Sequence, residues 1–90
     1  MAKLGELYIV SLPIGNPRDI TLRALDTLKT VDAVLCEDTR VTGLLFSEHG
    51  VKARLEAYHD HNAEQMRPQI IARLKAGQRI ALVSDAGTPL

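Results

Sequence analysis

Short apolar runs alternate with longer periodic segments along this chain. Runs rich in Val, Ile and Leu occupy 7–12, 31–36 and 79–84, and a more alternating run covers 53–58. Runs of this length, bounded by polar and glycine-bearing segments, predict strands. Near-continuous apolar runs predict strands buried on both faces, as in a parallel sheet, whereas the alternating third run suits an edge. The segments between them carry helical stripes: Leu22, Ala24, Leu25 and Leu28; then Val41, Leu44 and Leu45; then Met66, Ile70, Ile71 and Leu74. Asp19 is placed to cap the first helix, Asp38 the second, and Asn62 or Glu64 the third. Gly50 and Gly77 fall where helices end and a left-handed residue is favoured. Pro68 inside a helix would remove a hydrogen bond and clash with the preceding turn, costing about 3 kcal/mol. The third helix is therefore expected to start near Arg67, or to begin irregularly and kink.

The order β-α-β-α-β-α-β with short connections predicts an open α/β sheet. Right-handed crossovers between parallel strands send all carboxyl ends to one edge, where ligands of such folds bind. The segments following the strands are "PIGNPRD", "EDTR", "HDHN" and "SDAGTP", so the uncommitted polar residues collect on that edge. The opposite edge receives plainer material, such as Lys29 with Thr30 and Gly77 with Gln78.

Composition narrows the picture. Ninety residues with 46% hydrophobic content suit one small domain. Eleven basic and eleven acidic side chains cancel, so there is no broad field for nonspecific nucleic-acid binding, and any such contact rests on a local patch. Cys36 stands alone within an apolar run, as a small buried hydrophobe rather than a disulfide partner. The N-terminus lacks the apolar stretch of a secretory signal or membrane span, so a cytoplasmic protein is expected.

Each edge segment has its own chemistry. In "PIGNPRD", Pro13 and Pro17 restrict the backbone while Gly15 permits a turn and close approach to a ligand. It is neither a G-x-G-x-x-G fingerprint nor a Walker phosphate loop, which removes the main support for nicotinamide or ATP. In "EDTR", Arg40 could pair with Glu37 or Asp38, or bind a phosphate with its fork of donors. "HDHN" places His59 and His61 on one side of an extended segment, but a convincing metal site wants further protein ligands, and none is expected. His49, before Gly50, suits a helix C-terminus. In "SDAGTP", small residues let a ligand near the backbone while Asp85 and Thr88 offer hydrogen bonds.

Taken together, "LYIVSLPIGNPRDITLRALDTLKTVDAVLCEDTR", "YHDHN" and "ALVSDAGTPL" resemble the ribosomal-RNA-methylating branch of the tetrapyrrole methylase superfamily, through essentially the whole chain. The resemblance implies an enzyme dependent on S-adenosylmethionine that methylates the ribose 2′-hydroxyl of a cytidine in small-subunit rRNA. It implies an open three-layer α/β fold whose parallel strands run in order 3-2-4-1, with a fifth strand and a second domain following in full members. Residues 1–90 are accordingly expected to be the N-terminal domain of a two-domain methyltransferase, cut before that strand. The first two helices would cover one face and the third the other. An open edge at the first strand would make these 90 residues self-associate or be marginally stable.

By position, the resemblance assigns Pro13, Ile14, Gly15 and Asn16, with Asp85, Ala86, Gly87, Thr88 and Pro89, to the cofactor cleft. Glu37, Asp38, His59 and His61 become candidates for the reaction, and Thr39, Arg40, Asp60 and Asn62 for RNA binding. The implied partners are small-subunit rRNA or the ribosomal subunit and a second copy of the chain, with no membrane. Two alternatives stay open. One is a corrin or porphyrin C-methylase, which a "GxGxGD" first loop would favour where this chain has "PIGN"; the other is a noncatalytic binding or dimerisation module.

Overall fold

The four apolar runs become strands β1 (Glu6–Ser11), β2 (Ala33–Cys36), β3 (Leu55–Ala57) and β4 (Arg79–Ser84). Helices α1 (Leu22–Thr30), α2 (Thr39–Glu48) and α3 (Ala63–Lys75) connect them, and a short 3-10 helix, Pro17–Asp19, precedes α1. The computed structural model describes residues 4–13 and 15–84. All strands are parallel in the order β1-β4-β2-β3, the expected 3-2-4-1 read from its other end.

Position in the sheet explains each strand's composition. The inner strand β2 is buried at all four positions, and β4 buries Ile80, Ala81, Val83 and Ser84. The edge strand β3 is half-buried throughout. On one face, Val10, Val34, Cys36, Ala81 and Val83 pack with Ala24 and Leu28 of α1 and Phe46 of α2. On the other, Leu35 and Ile80 meet Ile70 of α3, flanked by Met66, Leu74 and Leu82. The expected division, two helices against one, therefore holds. Each large apolar side chain buried this way contributes roughly 1.5–3 kcal/mol.

Most of the expected stripe residues pack on the sheet, Ala24, Leu25 and Leu28 in α1, Leu45 in α2, and Met66, Ile70 and Leu74 in α3, and four do not. Leu22 is 79% exposed, at the start of α1 before the helix reaches the sheet. In α2 the buried pair is Thr42 and Phe46, four residues apart, leaving Leu44 at 71% and Val41 at 48% exposure. A threonine on the inward stripe hid that face from the apolar pattern. In α3, Ile70 is buried whereas Ile71 is exposed.

Two caps also differ from expectation. Thr21, not Asp19, caps α1, accepting a hydrogen bond from the Ala24 N–H at 3.0 Å. Asp19 ends the 3-10 helix, and the extended backbone of Ile20 separates it from α1. Asn62 occupies the position before α3, but neither it nor Glu64 forms the expected cap: Asn62 makes no side-chain cap bond and Glu64 already lies in the first turn. Asp38 does cap α2, through the Arg40 N–H at 2.9 Å.

Helix α3 starts at Ala63, earlier than Pro68 had led one to expect, and runs through that proline. Pro68 deprives the Glu64 carbonyl of its usual donor, but both residues lie on the exposed side, where water can take its place. Its inner side is tied to the edge strand. Arg73 makes a bidentate pair with Glu56 at 2.9 and 3.0 Å, and its Nε donates to Gln78 Oε1 at 2.9 Å. Gly5 anchors the start of β1, donating to the Leu74 carbonyl at 2.7 Å, and a Cβ there would collide with the Gln78 carbonyl.

Candidate functional site

Because the strands are parallel, Ser11, Cys36, Ala57 and Ser84 end on one edge of the sheet. A cleft of 160 Å³ opens there between the ends of β2, β3 and β4 and the first turns of α3. Glu37, Tyr58, His59, Asp60, Arg67 and Ser84 line it, over an apolar floor that includes Leu82. A larger hollow on the outer side of α3 is lined by that helix alone, with no second element to face it.

"HDHN" is a compact turn rather than the expected extended segment. The His59 carbonyl accepts from the Asn62 and Ala63 N–H groups at 3.1 and 2.9 Å, which starts α3 directly. Asn62 reaches backwards: its Oδ1 accepts from the His59 N–H at 2.8 Å, and its Nδ2 donates to the Ala57 carbonyl at 2.9 Å. The His61 N–H donates to His59 Nδ1 at 3.2 Å, and the two imidazole rings meet edge to face with centroids 5.7 Å apart. Only His59 and Asp60 of this turn line the cleft.

"EDTR" divides by role. Glu37 faces the cleft, and among the described residues it makes no hydrogen bond or ion pair. Asp38 is committed to the start of α2. The Arg40 backbone N–H, followed by the Arg40 side chain at 3.4 Å, holds its carboxyl below the usual carboxylate range. Arg40 thus pairs with Asp38 rather than Glu37, yet its side chain stays 90% exposed. Thr39 begins the helix and lies outside the cleft.

A second hollow, of 260 Å³, lies between the first loop and α2, lined by Leu12, Pro13, Gly15, Val41, Leu44 and neighbouring residues. Gly15 has φ 87°, with open space where a Cβ would stand. Thr42 Oγ1 lies buried beside this hollow without a hydrogen-bond partner among the described residues. Asn16 is occupied in capping the 3-10 helix through the Arg18 N–H. Backbone open to close approach, apolar walls and an unsatisfied hydroxyl suit part of a bound nucleoside-like molecule. The volume is just under the roughly 300 Å³ at which drug-sized pockets begin. Ile14, Asp85, Ala86, Gly87, Thr88 and Pro89 lie outside the described residues.

The structure thus groups the sequence candidates in two hollows, Glu37, His59 and Asp60 in one and Pro13 and Gly15 in the other. Asn16, Asp38, Thr39, Arg40, His61 and Asn62 line neither. Arg67 and Tyr58 were missed. Tyr58 follows the last residue of β3, which a firmer strand boundary would have signalled; Arg67 was hidden by Pro68, which made a helix spanning it look improbable. Among the described residues, no group of three His, Cys, Asp or Glu side chains is placed to hold a metal ion, and no helix is long and apolar enough to cross a membrane.

A parallel open sheet with its polar residues gathered at the strand ends is an α/β architecture that takes ligands at that edge. Residues 6–90 match the family described as Tetrapyrrole (Corrin/Porphyrin) Methylases, and the chain belongs to that family. Its similarity extends to individual proteins. Ribosomal RNA small subunit methyltransferase I of Escherichia coli O157:H7 is 59% identical over 86 residues, covering 96% of this chain and 30% of that protein. Proteins of the same name from Mesorhizobium japonicum and Bacillus subtilis are 57% and 52% identical, covering 93% and 96% of this chain and 29% and 30% of their own lengths. The chain therefore spans about 30% of the length of the curated relatives it matches.

Proposed function

We propose that the chain forms the N-terminal domain of a two-domain methyltransferase that uses S-adenosylmethionine to methylate the ribose 2′-hydroxyl of a cytidine in small-subunit rRNA. The observation that carries the reading is the cleft at the carboxyl edge, where a carboxylate, an imidazole and a guanidinium from separate segments converge. A cytoplasmic homodimer acting on rRNA or the ribosomal subunit belongs to the same reading.

S-adenosylmethionine, when bound, supplies a methyl carbon activated by its sulfonium. In this reading Pro13, Ile14, Gly15 and Asn16, with Asp85, Ala86, Gly87, Thr88 and Pro89, hold it at the ends of β1 and β4. The remaining work falls to side chains. A ribose hydroxyl is a poor nucleophile until its proton is accepted, and a base within hydrogen-bond reach contributes typically 10²–10⁴-fold. Glu37 is the better placed carboxylate, because Asp38 is engaged by Arg40 and is the weaker base for it. His59, which also lines the cleft, orients the reacting group, with His61 packed against its ring.

Phosphate recognition rests on a local group of cations rather than a broad field, since eleven basic and eleven acidic side chains cancel. Arg67 lines the cleft, and the exposed Arg40 stands on the same sheet edge, where Thr39 and Asp60 offer further polar contacts. Positioning the hydroxyl and its flanking phosphate together supplies much of the rate.

The test is methyl transfer by the full-length protein from methyl-labelled S-adenosylmethionine to small-subunit rRNA or subunits. A 2′-O-methyl group removes the nucleophile of alkaline cleavage, so labelled product should contain one alkali-resistant cytidine linkage. Glu37→Gln should lower kcat about 10²–10⁴-fold. Label on a base carbon, label only on added corrin or porphyrin, or no transfer would each overturn the reading.

A further inference from the structure

The hydrogen bonds of the "HDHN" turn assign a role to Asn62 other than contact with RNA. We propose that Asn62 is a positioning residue that holds His59 in the cleft as its Nε2–H tautomer. The carboxamide is engaged at both ends, Oδ1 taking the His59 N–H at 2.8 Å and Nδ2 reaching the Ala57 carbonyl at 2.9 Å. Its orientation follows from these partners, because a backbone N–H can only donate and a carbonyl can only accept. The side chain therefore ties the end of β3 to the first residue of the turn, across the point where the chain leaves the sheet.

That tie has a consequence for the imidazole. With the turn closed, the His61 N–H lies 3.2 Å from His59 Nδ1 and donates to it. A nitrogen that accepts a hydrogen bond carries its lone pair there, so the proton of the neutral ring sits on Nε2. His59 then offers the cleft an N–H donor rather than a base, in a lining it shares with the carboxylate of Glu37. The two side chains take complementary parts, one accepting a proton and the other orienting an oxygen. Asn62 itself lines neither hollow, as befits a residue acting through another.

The catalytic meaning of this arrangement rests on the function proposed above, whereas the tautomer does not. Nitrogen-15 NMR of the imidazoles in the intact protein, at a pH where the rings are neutral, reads it directly. Wild type should show His59 Nδ1 without a proton and Nε2 with one. Asn62→Ala should populate both tautomers, and Asn62→Asp, which keeps the acceptor for His59 N–H but loses the donor to Ala57, should fall between. If Asn62→Ala does not fold, the wild-type and Asn62→Asp spectra still decide. A proton on Nδ1 in wild type, or an unchanged tautomer ratio in folded variants, overturns the proposal.

Methyl transfer supplies the second arm. Asn62→Asp should lower kcat about 10- to 100-fold, the scale of small misplacements near a reacting centre, with the KM for RNA within about twofold of wild type. A rise in KM with kcat and tautomer unchanged would instead make Asn62 an RNA contact and overturn the proposal. The expected tautomers in a protein that transfers no methyl to RNA would sink the proposed function and leave the positioning role standing.

Discussion

Asp38 and Glu37 are neighbours with opposite commitments, and the difference is measurable. Asp38 is held below the usual carboxylate range first by the Arg40 backbone N–H and then by the Arg40 side chain. A carboxyl lowered in the folded chain stabilises it above the unfolded value, and that contribution disappears as pH falls through the folded value. Carboxyl carbon NMR titration should therefore place Asp38 below an ordinary aspartate. Arg40→Ala should raise its midpoint only part of the way back, because the backbone donor remains. Arg67 provides the second prediction at this scale. Under the proposed function, Arg67→Ala should weaken rRNA binding and flatten the dependence of log affinity on log salt by roughly 0.7–0.9, the loss of one phosphate contact. Glu37 and His59 were legible in the sequence because each follows a strand end. The capping role of Asp38 was legible too, but the backward reach of Asn62 was not, since it depends on which way a short polar side chain turns when several backbone groups lie in reach.

Elements were more legible than their ends. The inner strands β2 and β4 appear as continuous apolar runs because both faces are covered, and β3 alternates because it is an edge. Boundaries depended on local contacts that periodicity does not carry. Asp19 and Thr21 are both good capping residues, and the extended Ile20 decided between them. Thr21→Ala should accordingly cost about 1 kcal/mol in urea unfolding. Asp19→Ala should stay within about 0.5 kcal/mol of wild type. The reverse result would restore Asp19 as the cap. Helix α2 carries a similar lesson: its inward face presents Thr42 beside Phe46, so a purely apolar stripe found Leu45 but also took in the outward Val41 and Leu44. That choice mattered for the site, because the outward Val41 and Leu44 wall the hollow next to Gly15.

At the scale of the molecule, β1 is bonded only to β4 among the described strands, and its Leu7 and Ile9 are 47% and 55% exposed. An edge strand with exposed apolar side chains is a template for association. Sedimentation should show concentration-dependent self-association of this 90-residue chain, and Leu7→Lys with Ile9→Lys should suppress it without unfolding the sheet. Equal behaviour of wild type and double variant would remove β1 as the cause. The division of helices between the two faces and the strand order were anticipated by resemblance to a family rather than by periodicity, which carries no information on strand order.

The strand order also governs when the sheet can come into existence. In the register, Glu6 pairs with Arg79 and Ser11 with Ser84, while Ala33 to Leu35 pair with Ile80 to Leu82 on the other side of β4. The fourth strand is thus the keystone between β1 and β2. During synthesis, β2 can meet β3 early, but β1 has no described neighbour until residues 79–84 have left the ribosome. Pairings so distant along the chain form slowly. A nascent chain halted short of β4 would carry its first apolar strand uncovered, and it is in that interval, before the sheet is closed, that a chaperone has most to protect.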